Sequence, residues 1–251
     1  NSTVKLGVQR GNSPELLYFD VTRGDVPVNS VDVSYEAAKG IGYIKVSKFA
    51  RNTYNEFITA IAKLKQAGCT SFVIDLRGNT GGYMDAAINM INEFMPEGRL
   101  IVYTEGKSFP RSDVYANGTG TCKDAPIVVL TDEIPAAASE IFSGAIQDND
   151  RGTIIGRRTY GKGLVQTQMS LSDGSEMRLT IARYYTPSGR CIQKKYEMGN
   201  TDAYDQDIYN RYMHGEFDSA DSIKMDDSLK YQTVGGRTVY GGGGIMPDIF
   251  I

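Results

Sequence analysis

A chain of 251 residues, 41% hydrophobic and 23% charged, can bury a full core and fits the size of one large domain. Its 27 basic and 30 acidic residues leave a formal net charge of −3, which excludes the basic field that nucleic acid or an anionic membrane requires. No apolar run is long enough to span a bilayer, and His214 is the only histidine, which removes most chemistry that leans on imidazole.

The opening residues read as strands, Val4 to Gln9 and Leu16 to Thr22, separated by the turn-forming Gly11-Asn12-Ser13-Pro14. Gly42 to Phe49 is a further strand, and it leads into a helix in which Thr53 and Glu56 stand at capping-box spacing. Phe57, Ile58, Ile61 and Leu64 recur at helical intervals until Gly68 ends the helix. Ser71 to Leu76 is nearly all apolar, as a central strand would be. It is followed by the glycine-rich Arg77-Gly78-Asn79-Thr80-Gly81-Gly82 and a helix from Met84 to Phe94. The grammar repeats, with a strand at Ile127 to Leu130 and a helix from Ala137 to Gln147. Strand, loop and helix in this order imply an α/β core with a mostly parallel sheet, whose ligands gather at the carboxyl ends of its strands. Farther on, Leu164 to Leu171 and Glu176 to Tyr184 flank a turn at Asp173-Gly174. Residues 196–230 are polar and rich in aspartate, a surface insertion that is either a solvated structural element or a lid. Four glycines, Gly241 to Gly244, stand between apolar strand signals and predict a tight ordered crossing.

Several residues could carry chemistry, and each has a plainer alternative. Lys162 lies between Gly161 and Gly163, so neighbouring backbone can approach it closely; the plainer reading is an exposed turn. Gly163 and then Leu164 follow the lysine where a phosphate-binding loop needs Ser or Thr, so nucleotide binding is discounted. Gln166 is four residues on, roughly 13 Å away in a straight strand, and would meet Lys162 only if the glycines kink the chain. The backbone N–H groups of the Arg77–Gly82 turn suit an anion or oxyanion, or simply close a tight turn. Pro135 to Glu140 opens the other helix, where the dipole and free N–H groups favour a nucleophilic oxygen. Ser139 is the only hydroxyl there, and it serves equally as a capping residue. Cys69, Cys122 and Cys191 form no ligand cluster, so no metal site is read; one disulfide remains open.

These segments together resemble the C-terminal processing (tail-specific) serine peptidases. The resemblance rests on Asp75 to Gly82, Ala138 to Ile141 with Gly144-Ala145 and Gln147-Asp148, Gly156 to Gln166, Ser172 to Gly174, Ala182 to Tyr184 with Thr186-Pro187, and Gly241 to Asp248. It runs in family order from residue 42 to the end. It implies a Clp-protease/crotonase-like α/β peptidase core over residues 36–251, with residues 1–35 as the closing strands and linker of a PDZ module. It also implies endopeptidase cleavage of polypeptides with exposed, nonpolar C-terminal tails, no cofactor, and a periplasmic, envelope or secreted bacterial location; self-association is left open. By the same resemblance Lys162 is the general base and Gln166 orients it. Backbone N–H groups of Gly81 and Ala138 form the oxyanion hole, and Asp75, Arg77 and Glu140 support the loop and helix. The departure is at the nucleophile, where Ala137 stands in place of serine. Ser139 cannot replace it, because two helical steps turn a side chain by about 200°. An engineered replacement is the favoured reading and a natural peptide-binding pseudopeptidase the alternative; an acyl-thioester enzyme of the same fold is disfavoured, having no use for Gly161-Lys162-Gly163.

Overall fold

The computed structural model describes residues 2–26 and 28–251. β1 (Thr3–Val8) and β2 (Leu17–Thr22) pair antiparallel into a two-stranded ribbon that is almost wholly exposed and shares no sheet with the rest. β3 (Val31–Ala38) instead pairs antiparallel with β4 (Ile41–Val46) at the edge of the main sheet. The core sheet therefore takes in residues 31–35, which the sequence had grouped with the upstream strands. The physical reason lies in α1 (Thr53–Gln66). The Glu56 carboxylate accepts the N–H groups of Ser30 (2.6 Å) and Val31 (2.9 Å) and ties the start of β3 to the helix. Glu56 accordingly closes no capping box; Thr53 Oγ1 accepts the Ala50 N–H at 2.7 Å. Phe57, Ile61 and Leu64 of α1 are buried, as their spacing predicts, whereas Ile58 is only half-buried and Ala60 joins the buried face.

β5 (Ser71–Asp75) is followed by α2 (Met84–Asn92), and a hairpin of β6 (Leu100–Gly106) and β7 (Phe109–Tyr115) comes next. β8 (Ile127–Thr131), α3 (Ala138–Asp148) and β9 (Thr153–Gly156) repeat the strand–helix–strand unit. β10 (Leu164–Ser170) and β11 (Glu176–Tyr185) form the expected hairpin, with Gly174 at φ +84° in its turn. The polar insertion contains α4 (Thr201–Met213), capped where Asn200 Oδ1 accepts the Ala203 N–H. β12 (Lys230–Gln232), β13 (Thr238–Tyr240) and β14 (Ile249–Phe250) complete the chain.

The main sheet has six strands in the order β14-β9-β8-β5-β4-β3, parallel throughout except for the β3–β4 pair. A second, antiparallel sheet runs β10-β11-β6-β7. The aromatic rings of Phe57, Phe94 and Phe142 meet edge to face and link α1, the segment after α2, and α3 across the core. Cys69, Cys122 and Cys191 are free thiols. No helix among the described residues is long and apolar enough to cross a membrane.

At the far end of α3 the fully buried Arg190 donates to Asp148 at 2.7 Å, to Gln147 and to the Tyr240 carbonyl, joining helix, β11 loop and β13. Removing one partner of such a pair strands the other charge without solvent. Arg190→Met should lower the stability measured by urea unfolding by about 3–5 kcal/mol. Arg111→Met, at the exposed Arg111–Asp113 pair, should leave the midpoint in place.

Candidate active site

The carboxyl ends of β5 and β8 lie side by side, and their following loops converge at the start of α3. There Ala137 adopts φ 50°, ψ −113°, a left-handed conformation that a residue with a Cβ avoids. It persists because both its peptide groups are held. The Ala137 N–H donates to Glu140 Oε2 at 3.1 Å, and its carbonyl accepts from the Tyr184 hydroxyl at 3.2 Å. The same two groups hold Lys162. Its N–H donates to Glu140 Oε2 at 2.8 Å, and its carbonyl lies against the Tyr184 hydroxyl. Residues 137 and 162 are thereby fixed side by side through one carboxylate oxygen and one phenol.

Glu140 is fully buried, and its other oxygen accepts Thr159 Oγ1–H and the Gly161 N–H, each at 2.6 Å. Burial pushes its carboxyl up to about 6, against the pull of these donors. At neutral pH it is still ionised and can accept all four bonds. Tyr184 is buried at 3% exposure, and burial, with Glu140 nearby, raises its hydroxyl well above the ordinary value, so it remains a donor.

The glycine-rich turn packs against this pair. A Cβ on Gly81, at φ +97°, would come within 2.5 Å of the Ala136 carbonyl, so only glycine lets the turn lie there. Asn79 anchors it by donating to the Val46 carbonyl at 2.9 Å. Of the two expected oxyanion donors, the Ala138 N–H has no acceptor among the described residues, whereas the Gly81 N–H is taken by Asn79 Oδ1 at 2.9 Å. Ser139 is fully buried and donates to the Asn79 carbonyl at 2.8 Å, so it fastens the helix to the turn. Asp75 accepts from Tyr43 and from the Arg77 side chain, each at 2.6 Å, and from the Arg77 N–H at 2.9 Å. Burial alone would raise its carboxyl, but the bonds from Arg77 and Tyr43 outweigh it and hold the group at about 2. Asp75 and Arg77 brace the start of the turn and bond neither residue 137 nor residue 162.

The Lys162 side chain is exposed and borders a hollow of about 400 Å³ with Ala136, Ile134, Tyr160, Tyr204 and Ile208. Tyr204 and Ile208 come from α4, so the insertion walls this hollow. Arg211 docks α4 on the lysine loop by donating to the carbonyls of Arg158 (2.6 Å) and Thr159 (3.0 Å). Lys194 completes the docking, its ammonium 3.9 Å from the Tyr160 ring centre and 4.1 Å from that of Tyr204.

Gln166 is not brought to Lys162. It sits on β10, just past a bulge at Val165/Gln166, and bonds Thr180 Oγ1 at 3.4 Å. His214 caps α4 and contacts the Asn210 carbonyl, away from the site. Tyr184, Thr159 and Lys194 make contacts at the site that sequence reasoning did not single out. Tyr184 lies within the recognised Ala182-Arg183-Tyr184 segment, but nothing in a strand's alternation says which carbonyl a buried phenol will reach.

A strained residue at the mouth of α3 and a lysine whose main chain is pinned beside it thus lie at the carboxyl-end side of the parallel sheet. The family model for Peptidase family S41 matches residues 40–202. The carboxyl-terminal-processing protease of Synechocystis is 36% identical over 197 residues, covering 77% of this chain and 46% of that protein. That of Picosynechococcus is also 36% identical, over 195 residues, 77% of this chain and 47% of that protein. Among solved structures, the photosystem II D1 C-terminal processing protease superposes with a TM-score of 0.59 at 33% identity, over 75% of this chain and 52% of that one. A lipoprotein from Streptococcus agalactiae shares the fold at 16% identity, with a TM-score of 0.53 over 87% of this chain and 64% of that one. The chain belongs to peptidase family S41 and spans less than half the length of these curated relatives.

Glu140→Gln supplies a direct test of the carboxylate clamp. An acid whose folded pKa is raised from 4.5 to about 6 binds its proton more readily folded than unfolded. Its contribution to stability is therefore fullest below pH 4.5 and declines by about 2 kcal/mol as pH rises to about 6. That decline should vanish from the pH–stability profile of Glu140→Gln. At pH 7 the variant should still be the less stable protein, since an amide leaves two of the four donors without an acceptor at about 1–3 kcal/mol each.

Proposed function

We propose that the protein is a serine endopeptidase that cuts polypeptides near exposed C-terminal tails, with residue 137 as the nucleophile position and Lys162 as the general base. The observation that carries this reading is the strained backbone of Ala137 at the start of α3, held beside Lys162 by Glu140 and Tyr184. Alanine gains nothing from that conformation, whereas a serine there would present its hydroxyl at the helix N-terminus. Ala137 is read as a replacement of that serine, because the clamp, the turn and the lysine around it are intact, and the chain in this form is inert.

With serine restored, neutral Lys162 takes the hydroxyl proton while Oγ bonds to the scissile carbonyl carbon. The carbonyl oxygen becomes an oxyanion facing the Ala138 N–H. Collapse breaks the C–N bond, and the proton on Lys162 passes to the leaving amine. Water, deprotonated by Lys162, then hydrolyses the acyl-enzyme. A free lysine has a pKa of about 10.4, so the base must be desolvated, which a peptide lying over the hollow beside it would do. Gly81 adds its N–H to the oxyanion hole only if Asn79 releases it, and Gln166 orients Lys162 only if the start of β10 moves. The apolar walls at Ile134, Ala136 and Ile208 suit a nonpolar side chain of the substrate. The exposed β1–β2 ribbon is read as the closing strands of a PDZ module. No cofactor enters the scheme, and the bacterial relatives favour a periplasmic, envelope or secreted setting.

Ala137→Ser should confer hydrolysis of casein-like substrates on the inert chain. In that background Lys162→Arg should lower kcat at least about a hundredfold, because a guanidinium cannot accept the proton. Gln166→Ala should cost less. Near-normal turnover with arginine at position 162, or a pH profile abolished by replacing His214, would overturn the lysine-base mechanism.

A further inference from the structure

We propose that a second cavity, floored by the tetraglycine crossing, is a carboxylate-binding site for an acidic group of the bound polypeptide. Its volume is about 570 Å³, and it is lined in part by Arg183, Lys195 and Lys224. None of these three cations has an ion pair or side-chain hydrogen bond among the described residues. Two further cations on its wall are satisfied, Arg158 by Glu216 at 2.6 Å and Lys194 by Asp207 at 3.5 Å. The only lining carboxylate is Asp226, which is turned onto the Ser228 N–H (2.9 Å) and hydroxyl (2.6 Å). Tyr231 and Tyr240 also line the cavity, and their hydroxyls have no hydrogen-bond partners among the described residues. A chain of net charge −3 thus gathers around one hollow three cations without an ion pair and two tyrosines whose hydroxyls have no partner among the described residues, although Arg183 stands opposite Glu105 across β11 and β6. That lining attracts an anion and can hydrogen-bond it.

The cavity's floor is built, not incidental. The Gly242 N–H donates to the Cys191 carbonyl at 2.7 Å and the Gly244 N–H to that of Ile192 at 2.8 Å, which fixes the crossing against the 191–194 segment. Gln193, another lining residue, accepts the Gly163 N–H at 2.8 Å. Leu164 lines this cavity and Lys162 lines the apolar hollow, so one loop serves both. Two residues of chain span at most about 7 Å, which would put the acidic group within a few residues of the bond at residue 137. The anions that a polypeptide itself carries are its terminal carboxylate and its Asp and Glu side chains. Assigning the ligand to the substrate rests on the peptidase reading; the binding itself does not.

The test uses the chain with Ala137 and needs no hydrolysis. Fluorescence anisotropy would compare three short alanine/leucine/serine peptides carrying a neutral fluorophore: the free acid, its C-terminal amide, and the amide with one internal glutamate. The free acid should bind roughly tenfold more tightly than the plain amide at low salt. The combined Arg183→Gln, Lys195→Gln, Lys224→Gln variant should bind all three alike, with an unchanged Tm because these side chains are exposed. A glutamate amide that matches the free acid would make any carboxylate the ligand; one that matches the plain amide would single out the terminus. Equal affinity for acid and amide, no binding by either, or a preference that survives in the triple variant would overturn the proposal. Failure of Ala137→Ser to hydrolyse protein would overturn the peptidase reading and leave this result standing.

Discussion

The Glu140 carboxylate is the interaction on which the candidate site depends. Two oxygens, wholly removed from water, accept from Ala137 and Lys162 on one side and from Thr159 and Gly161 on the other. Thr159 passes the order on, since its Oγ1 accepts the Ile245 N–H at 2.7 Å and so fixes the C-terminal crossing. Helix start, lysine loop and crossing are three segments distant in sequence that meet on one side chain. A neutral residue could not replace it, because only an ionised carboxylate is an acceptor at every lone pair. The desolvation that raises its pKa is the cost of that arrangement, and it stops short of neutralising the group at pH 7.

The backbone strain at Ala137 belongs to the same arrangement. A non-glycine residue in the left-handed region costs about 1–3 kcal/mol and survives only where surrounding contacts over-determine it. Here the N–H is claimed by Glu140 and the carbonyl by Tyr184, so relaxing φ would break a buried hydrogen bond at each end. Alanine at 137 retains the conformation because the hydrogen bonds that impose it all come from the main chain of residue 137, not from its side chain.

Much of this was legible in the sequence. The apolar spacing of Phe57, Ile61 and Leu64, the continuous strand before Asp75 and the repeat at Ile127 to Leu130 defined the parallel sheet, since local periodicity records burial. The glycines at 81, 161 and 163 marked where backbone meets backbone. What local pattern could not carry was the identity of distant partners. Glu56 stood at capping-box spacing, yet it serves β3, because two strand amides are stronger claimants than its own helix start. α4 was hidden in a polar stretch: Tyr204, Ile208 and Arg211 do share a helical face, but its one buried residue is an arginine, which a hydrophobic pattern does not count. Gln166 was placed by resemblance, and the strand geometry keeps it on Thr180.

Lys162 shows how the fold separates what must be fixed from what must move. Its flanking glycines lie against neighbouring backbone, where a Cβ on Gly161 would stand 3.1 Å from the Gly244 nitrogen and one on Gly163 would stand 3.0 Å from that of Gln193. The loop can therefore press onto the 191–194 segment and the crossing, leaving the lysine as its only projecting side chain. Its main chain is pinned at both N–H and carbonyl, while its exposed side chain borders a hollow walled partly by α4. Arg211 holds that helix to the carbonyls of Arg158 and Thr159, and Lys194 packs on its Tyr204 ring, so the wall of the hollow is tied through Thr159 to the same carboxylate that pins the lysine backbone. A site organised in this way holds the main chains of residues 137 and 162 in place by buried hydrogen bonds, and the proposed lysine-base scheme then leaves exclusion of water from the lysine to whatever occupies the space between α4 and the glycine-rich turn.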